Sequence, residues 1–287
     1  MRFEFDQATE MHRNDDRDDR DDGGNGGNGG NGGNGHALFV GAIAAGWDIN
    51  GNANGGYLLA LAANAMREAS GRQDPITVTA HYLAPGPAGP ITVATSTVKT
   101  GRQLVTMSGS MYQGDRELLR VLGSFGDVAA FSGGFSKTTL VPPALPPRDE
   151  CYQHTSRGGV VNAALADRLC NWFRPEHAPF QPGPKSGVAV IEGYSEFADG
   201  RPFDTLSLLL VADGFPPPFF NLDAPAGWVP TIELTAHVRG IPAPGPLTCR
   251  FRSDVIQNGF LQEDGEIWDS AGQLVAQSRQ LALLPRG

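Results

Sequence analysis

One stretch of this chain occurs twice. Residues 76–91 read ITVTAHYLAPGPAGPI and residues 232–247 read IELTAHVRGIPAPGPL, with Thr-Ala-His and Gly-Pro at matching places and a constant offset of 156 residues (76 to 232, 91 to 247). After a slip in between, the same offset returns: Tyr112 falls on Trp268, Leu118 on Leu274 and Leu119 on Val275. Matching order at two separated stretches implies two copies of one fold fused in a single chain, and 287 residues suffice for two domains of ordinary size.

Each copy carries the same order of elements. In the first, a strand-like run over 36–49 leads to Asn54-Gly55-Gly56, and Tyr57 to Ala69, rich in Leu, Ala and Met, predicts a buried helix closed by Gly71. Alternating segments at 76–83, 91–99, 103–113 and 117–125, separated by turn residues, predict an antiparallel meander. The second copy offers strands at 169–173 and 187–197, an apolar helix at 204–213 (DTLSLLLVAD), and strands at 231–238, 247–256, 259–268 and 273–284. One long helix followed by several strands is an α+β pattern, with the helix against one face of the sheet.

The expected divisions are 1–131 for the first unit, 132–160 for a Pro-rich linker and 161–287 for the second unit. The linker contains FSGGFSKTTLVPPALPPRDE, whose prolines favour extended chain, so it is expected to cross the surface. Within the first unit, about 13–35 reads as a disordered, solvated insertion, Asp-rich and then Gly/Asn-rich, between two strand-like runs, FEFDQ and HALFVGAIAAGWDI. Its G-x-G-x-x-G at Gly24, Gly26 and Gly29 lacks the preceding strand and following helix that a dinucleotide turn needs. Nor does the spacing match a known calcium loop.

Charge and cysteine usage narrow the function classes. The formal charge is −9, of which DDRDDRDD at 15–22 supplies −4 (six Asp against two Arg), and no basic run suggests nucleic acid as a partner. Cys151, Cys170 and Cys249 are odd in number and far apart, as expected of reduced thiols and not of a disulfide frame or zinc site. The N-terminus lacks an apolar signal core and no apolar run approaches 18 residues, so a cytoplasmic protein without a membrane span is expected. There is no G-x-S-x-G elbow for a serine hydrolase and no H-E-x-x-H for a metal.

NGGYLLALA at 54–62, TVTAHYLAPGPAGP at 77–90, LLLVADGFPPP at 208–218, TIELTAHV at 231–238 and SAGQLVAQSRQLALL at 270–284 together resemble the double-hotdog acyl-CoA thioesterases of the type II (TesB-like) group. The resemblance implies two tandem hotdog domains, each an antiparallel sheet wrapped around a central helix. It implies hydrolysis of an acyl-CoA thioester to free acid and coenzyme A, without a cofactor or metal. It also implies a homodimer of double hotdogs as a plausible assembly. The family's working Asp, Thr and Gln fall on Asp213, Thr231 and Gln280. Asp213 is then expected to take a proton from water that Thr231 and Gln280 hold. Asn54, Gly55, Gly56 and Tyr57 are expected to meet the substrate, with backbone amides there or beside Asp213 facing the oxyanion.

Blander readings stand beside these. Asp213 can cap the turn before Gly214, and Gln280 can be an outward strand residue. His81 and His237, in the repeated Thr-Ala-His, are assigned to packing or strand pairing, although as acid–base groups they would fit a hotdog dehydratase. A non-catalytic acyl-CoA or lipid-binding protein is a further alternative, as is a purely structural module.

Overall fold

The computed structural model describes residues 2–15, 35–156, 162–181, 183–224 and 227–285. The first half runs α1 (Glu4–Ala8), β1 (His12–Arg13), β2 (His36–Ile43), β3 (Asp48–Ile49), β4 (Asn52–Ala53), α2 (Gly55–Ser70), β5 (Asp74–Tyr82), β6 (Gly89–Thr100), β7 (Val105–Gln113) and β8 (Arg116–Gly126). The second half runs β9 (Tyr152–His154), β10 (Leu169–Phe173), β11 (Val190–Phe197), α3 (Ser207–Val211), β12 (Thr231–Val238), β13 (Leu247–Arg252), β14 (Ile256–Gln257), β15 (Phe260–Trp268) and β16 (Leu274–Leu283).

Apart from β3 and β4, which pair with each other, the strands form one sheet in the order β1-β2-β6-β7-β8-β5-β12-β16-β15-β13-β11-β10-β9, with β14 paired to β15. The order reads alike outward from its centre: β5, β8, β7, β6, β2 on one side and β12, β16, β15, β13, β11 on the other. The two central strands are the repeated stretches themselves. They pair antiparallel with Thr79 opposite Thr235, and the two hydroxyls lie 2.8 Å apart. A residue facing its own copy marks a local two-fold axis, so the duplication is the seam along which the halves join.

α2 forms because its sequence is dense in Leu, Ala and Met and both ends are specified. The Asn54 side chain accepts from the Tyr57 amide at the start, and Gly71 adopts a left-handed φ of 65° at the end. Its core positions, among them Leu59, Leu61 and Met66, are fully buried against the sheet. α3 is much shorter than the ten residues read from the sequence. It starts late because Asp204 and Ser207 bond each other reciprocally, Asp204 Oδ1 accepting the Ser207 amide and Ser207 Oγ the Asp204 amide, both at 2.8 Å. It stops at Val211, where the amides of Asp213 and Gly214 reach back only three residues, to Leu210 and Val211. Pro216, Pro217 and Pro218 then deny any continuation.

FEFDQ is helical, not a strand. Phe5 and Ala8 are the buried residues of α1, Glu4 and Asp6 suit its first turn, and Phe5 packs against Trp47 and Phe197 at 5.7 and 5.3 Å. The proposed insertion falls between β1 and β2, which pair as His12 to Val40 and Arg13 to Phe39; its residues 16–34 lie outside those described. In the Pro-rich stretch, Pro146 O accepts from Tyr194 at 3.2 Å, and the Arg148 guanidinium sits 4.6 Å over the Trp172 ring. That stretch therefore lies across β10 and β11. Among the described residues no helix is long and apolar enough to cross a membrane.

Candidate active site

α2 and α3 meet end to side at the first turn of α2, and glycine makes the approach possible. A Cβ on Gly56 would stand 2.7 Å from the Leu209 and Leu210 carbonyl oxygens, and one on Gly55 would stand 2.9 Å from Asp213 Oδ2. Into this gap α3 delivers the side chain of Asp213. Asp213 Oδ2 accepts from the Gly56 amide at 3.0 Å and from Asn54 Nδ2 at 2.9 Å, and Asn54 Nδ2 also meets the Asp213 carbonyl at 2.7 Å. The unpaired amides and positive end of α2 thus hold a carboxylate from the other half.

Burial nonetheless dominates its titration. It pushes the Asp213 carboxyl up to about 6, against the downward pull of the hydrogen bonds from Gly56, Gly55 and Asn54. A carboxylate poised there is mostly ionised at neutral pH yet basic enough to accept a proton.

Two strands contribute the remaining groups. Thr231 opens β12, and Gln280 lies in the adjacent β16 at a position that alternation turns inward, only 4 % exposed. Gln280 Nε2 donates to Thr231 Oγ1 at 2.7 Å, while Gln280 Oε1 is buried without a partner. Asp213, Thr231 and Gln280 all line one cavity of about 490 Å³, together with Asn54 and Gly55. Its apolar wall includes Leu165, Leu169, Phe180, Phe215, Phe220 and Val229.

Two expected substrate contacts are placed differently. Gly56 meets Asp213 through its amide and is not among the lining residues. Tyr57 belongs to the core: its hydroxyl donates to Ala8 O at 2.7 Å, accepts from the Ala44 amide at 3.0 Å, and its ring stacks on Trp47. The glycines admit neighbouring protein, and the amide of Gly56 is engaged by Asp213 instead of facing an oxyanion. His81 is exposed and His237 partly so, paired across the central strands with Glu233 and Thr77, and neither lines the cavity.

Among the polar lining residues that escaped the sequence reading are three on strands. Glu263 in β15 is 4 % exposed and stands opposite Gln280, with Oε2 unpartnered. Asn171 in β10, also 4 % exposed, donates to Gly214 O at 2.7 Å and keeps Oδ1 unpartnered. His154 in β9 packs on Phe173 and Phe180, and burial lowers its affinity for a proton. For the first two a signal was present: each takes an inward place in a strand whose other inward places are apolar or small, as in Leu169-x-Asn171-x-Phe173. Among the described residues no cluster of His, Cys, Asp and Glu is placed to hold a metal ion.

Residues 43–126 match the family model described as the acyl-CoA thioesterase N-terminal domain, and residues 144–284 match that of the acyl-CoA thioesterase C-terminal domain. The chain belongs to the acyl-CoA thioesterase family. An uncharacterized protein of Mycobacterium tuberculosis is 30% identical over 269 residues, covering 86% of this chain and 91% of that protein. The thioesterase-like protein TwmA of Talaromyces wortmannii is 24% identical over 303 residues, covering 83% and 85%. Among solved structures, one from Thermobifida fusca, provisionally assigned as a thioesterase II, superposes with a TM-score of 0.80 at 27% identity over 99% of this chain and 98% of that one. A hot dog fold protein of unknown function from Alicyclobacillus acidocaldarius gives 0.78 at 19% identity over the whole of both chains. The acyl-CoA thioesterase II TesB2 of Mycobacterium marinum shares the fold at 0.61 and 16% identity, over 87% and 93%. This family member is therefore a tandem hotdog, with one half of the continuous sheet wrapped about α2 and, across the seam, the other half about α3.

Proposed function

We propose that this family member hydrolyses an acyl-CoA thioester to the free acid and coenzyme A, with Asp213, Thr231 and Gln280 as its working residues. What supports the reading is that an aspartate at the end of α3, a threonine opening β12 and a glutamine in β16 line one cavity. A water there can give one hydrogen to the Asp213 carboxylate and the other to the unpartnered Gln280 Oε1. Thr231 holds the Gln280 amide by accepting from Nε2, which leaves Oε1 turned to the water. As the water oxygen bonds to the thioester carbon, its proton passes to Asp213 and the carbonyl electron pair moves to oxygen. When that pair returns, the carbon–sulfur bond breaks, and the proton on Asp213 goes to the departing thiolate. The apolar wall suits the acyl group, and the cavity has the size of an ordinary ligand pocket.

The test is an assay of free thiol release over a series of acyl-CoA chain lengths. Turnover on at least one length, abolished in Asp213→Asn, is the expected result. Tight acyl-CoA binding with no turnover on any length would replace hydrolysis with a carrier or sensor role.

A further inference from the structure

The proposed mechanism leaves one requirement unmet: a donor for the thioester oxygen, where negative charge develops. The amides expected to serve are committed: that of Asn54 to Trp47 O, and those of Gly55 and Gly56 to the Asp213 carboxylate. Next to Asp213, the amides of Asp213 and Gly214 are also engaged, by Leu210 O and Val211 O. The buried side-chain amides of the cavity have commitments too: Asn54 to Asp213, Asn171 to Gly214 O and Gln280 to Thr231. Three cavity residues carry a buried oxygen with no partner, and of these Asn171 Oδ1 and Gln280 Oε1 are amide oxygens that can only accept, whereas Glu263 Oε2 belongs to a carboxyl group that can carry a proton.

Resting on the thioesterase reading, we infer that Glu263 is a further catalytic residue whose carboxyl group donates the hydrogen bond that receives the thioester oxygen. Its position supports this. Glu263 faces Gln280 across β15 and β16, and Gln280 in turn holds Thr231, so the acid, the amide and the hydroxyl stand on three successive strands, β15, β16 and β12. A donor beside the water-holding pair places the carbonyl next to the nucleophile. Such a donor must keep its proton, and this site favours that state. Burial first, then the negative charges of Asp213 and Asp264, hold the Glu263 carboxyl well above the usual range. Two acids in one cavity are thereby driven apart, one to serve as base and the other as neutral donor. No proton leaves Glu263 in the cycle: its O–H bond lengthens toward the oxyanion and recovers when the thiolate departs.

Glu263→Gln keeps a neutral donor at that place, and Glu263→Leu removes it at similar size. Expected is a kcat fall of roughly 10²–10³ in Glu263→Leu, as for other lost oxyanion donors, with KM little changed and most of kcat retained in Glu263→Gln. A difference infrared spectrum of the wild type at neutral pH should also show a protonated carboxyl band that Glu263→Gln lacks. Thermal unfolding of each variant confirms that the fold persists. Wild-type kcat in Glu263→Leu, equal losses in both variants, or no such band would overturn the role of Glu263 while leaving hydrolysis intact. No turnover in the wild type would instead sink the thioesterase reading, and this role with it.

Discussion

Asp213→Asn tests base and burial together, because the same desolvation that tunes the carboxylate also costs the fold stability. Asparagine keeps an oxygen for the Gly56 amide and Asn54 Nδ2 but cannot take a proton. A general base contributes about 10²–10⁴ in rate, and kcat should fall by that factor. The stability effect follows from linkage. An unfolded aspartate ionises near 3.8, whereas Asp213 holds its proton to about 6. Between those values the folded state binds the extra proton. Its contribution is therefore fully present below the unfolded value and is lost as pH rises through about 6. At about 1.36 kcal/mol per pH unit the gap comes to roughly 3 kcal/mol. Urea unfolding of both proteins at pH 4 and pH 8 should show the mutant gaining at least about that much on the wild type across the interval, because the larger cause of the Glu263 shift, burial, is common to both while the smaller one, the Asp213 charge, is relieved in the mutant. In the wild type, kcat/KM should rise with pH to a plateau above about 6. Parallel stability profiles for the two proteins, or a mutant with near wild-type kcat, would refute the assignment of Asp213 as a buried base.

Gly56→Ala should destabilise by about 1–3 kcal/mol in urea titration, because the new methyl meets the Leu209 and Leu210 carbonyls, neither of which is a flexible side-chain end. Thr231→Val should lower kcat through loss of the acceptor that orients Gln280, and Gln280→Leu should lower it at least as far; steady-state kinetics with equal rates in both variants and wild type would exclude a role in holding water. Thr79→Val should cost only about 1 kcal/mol, since Thr235 keeps Glu233 Oε1 as a partner, and a loss above about 3 kcal/mol in calorimetry would mean that the seam depends on this one bond.

Much of the architecture was legible because strands and helices impose periods on sequence. The meander, the body of α2 with its Gly71 end, and the central strands follow from alternation, the closing glycine and the repeat, whereas the Asn54 cap starts α2 at Gly55, two residues before the expected Tyr57. What escaped was set by tertiary partners. α1 has too few residues for periodicity to speak, and it is held by Phe5 packing and by Asp6 bonded to Arg201 at 2.8 Å. α3 contains a helix-like run, LLLVA, but its ends are decided by Asp204–Ser207 and by the prolines. Gly55 and Gly56 announced a close approach without saying of what; the visitor is α3 and its Asp213. Glu263 hid in a segment, LQEDGEIW, whose several acids look solvent-facing until strand parity separates the inward one.

The two halves share a fold, yet the ends of their paired helices are treated differently. Carried back by 156, Thr231 and Gln280 land on Pro75 and Ser124. Proline there offers no hydroxyl, and the Ser124 hydroxyl is engaged with Thr106 at 3.0 Å. At the start of α3, polar groups find protein partners: Thr205 donates to Asp74 at 2.6 Å, and Arg201 bridges Asp6 and Asp204. At the start of α2 the balance is reversed. Asn171, Glu263 and Gln280 line one cavity, and Oδ1 of the first, Oε2 of the second and Oε1 of the third are buried without partners. Buried polar atoms left bare cost stability, so three of them on residues lining one cavity is the arrangement expected of the proposed single site per chain. Duplication provided two equivalent helix ends; α1, with Phe5 and Asp6, helped close one, and β15 and β16 left the other beside a cavity whose lining residues carry unpartnered oxygens.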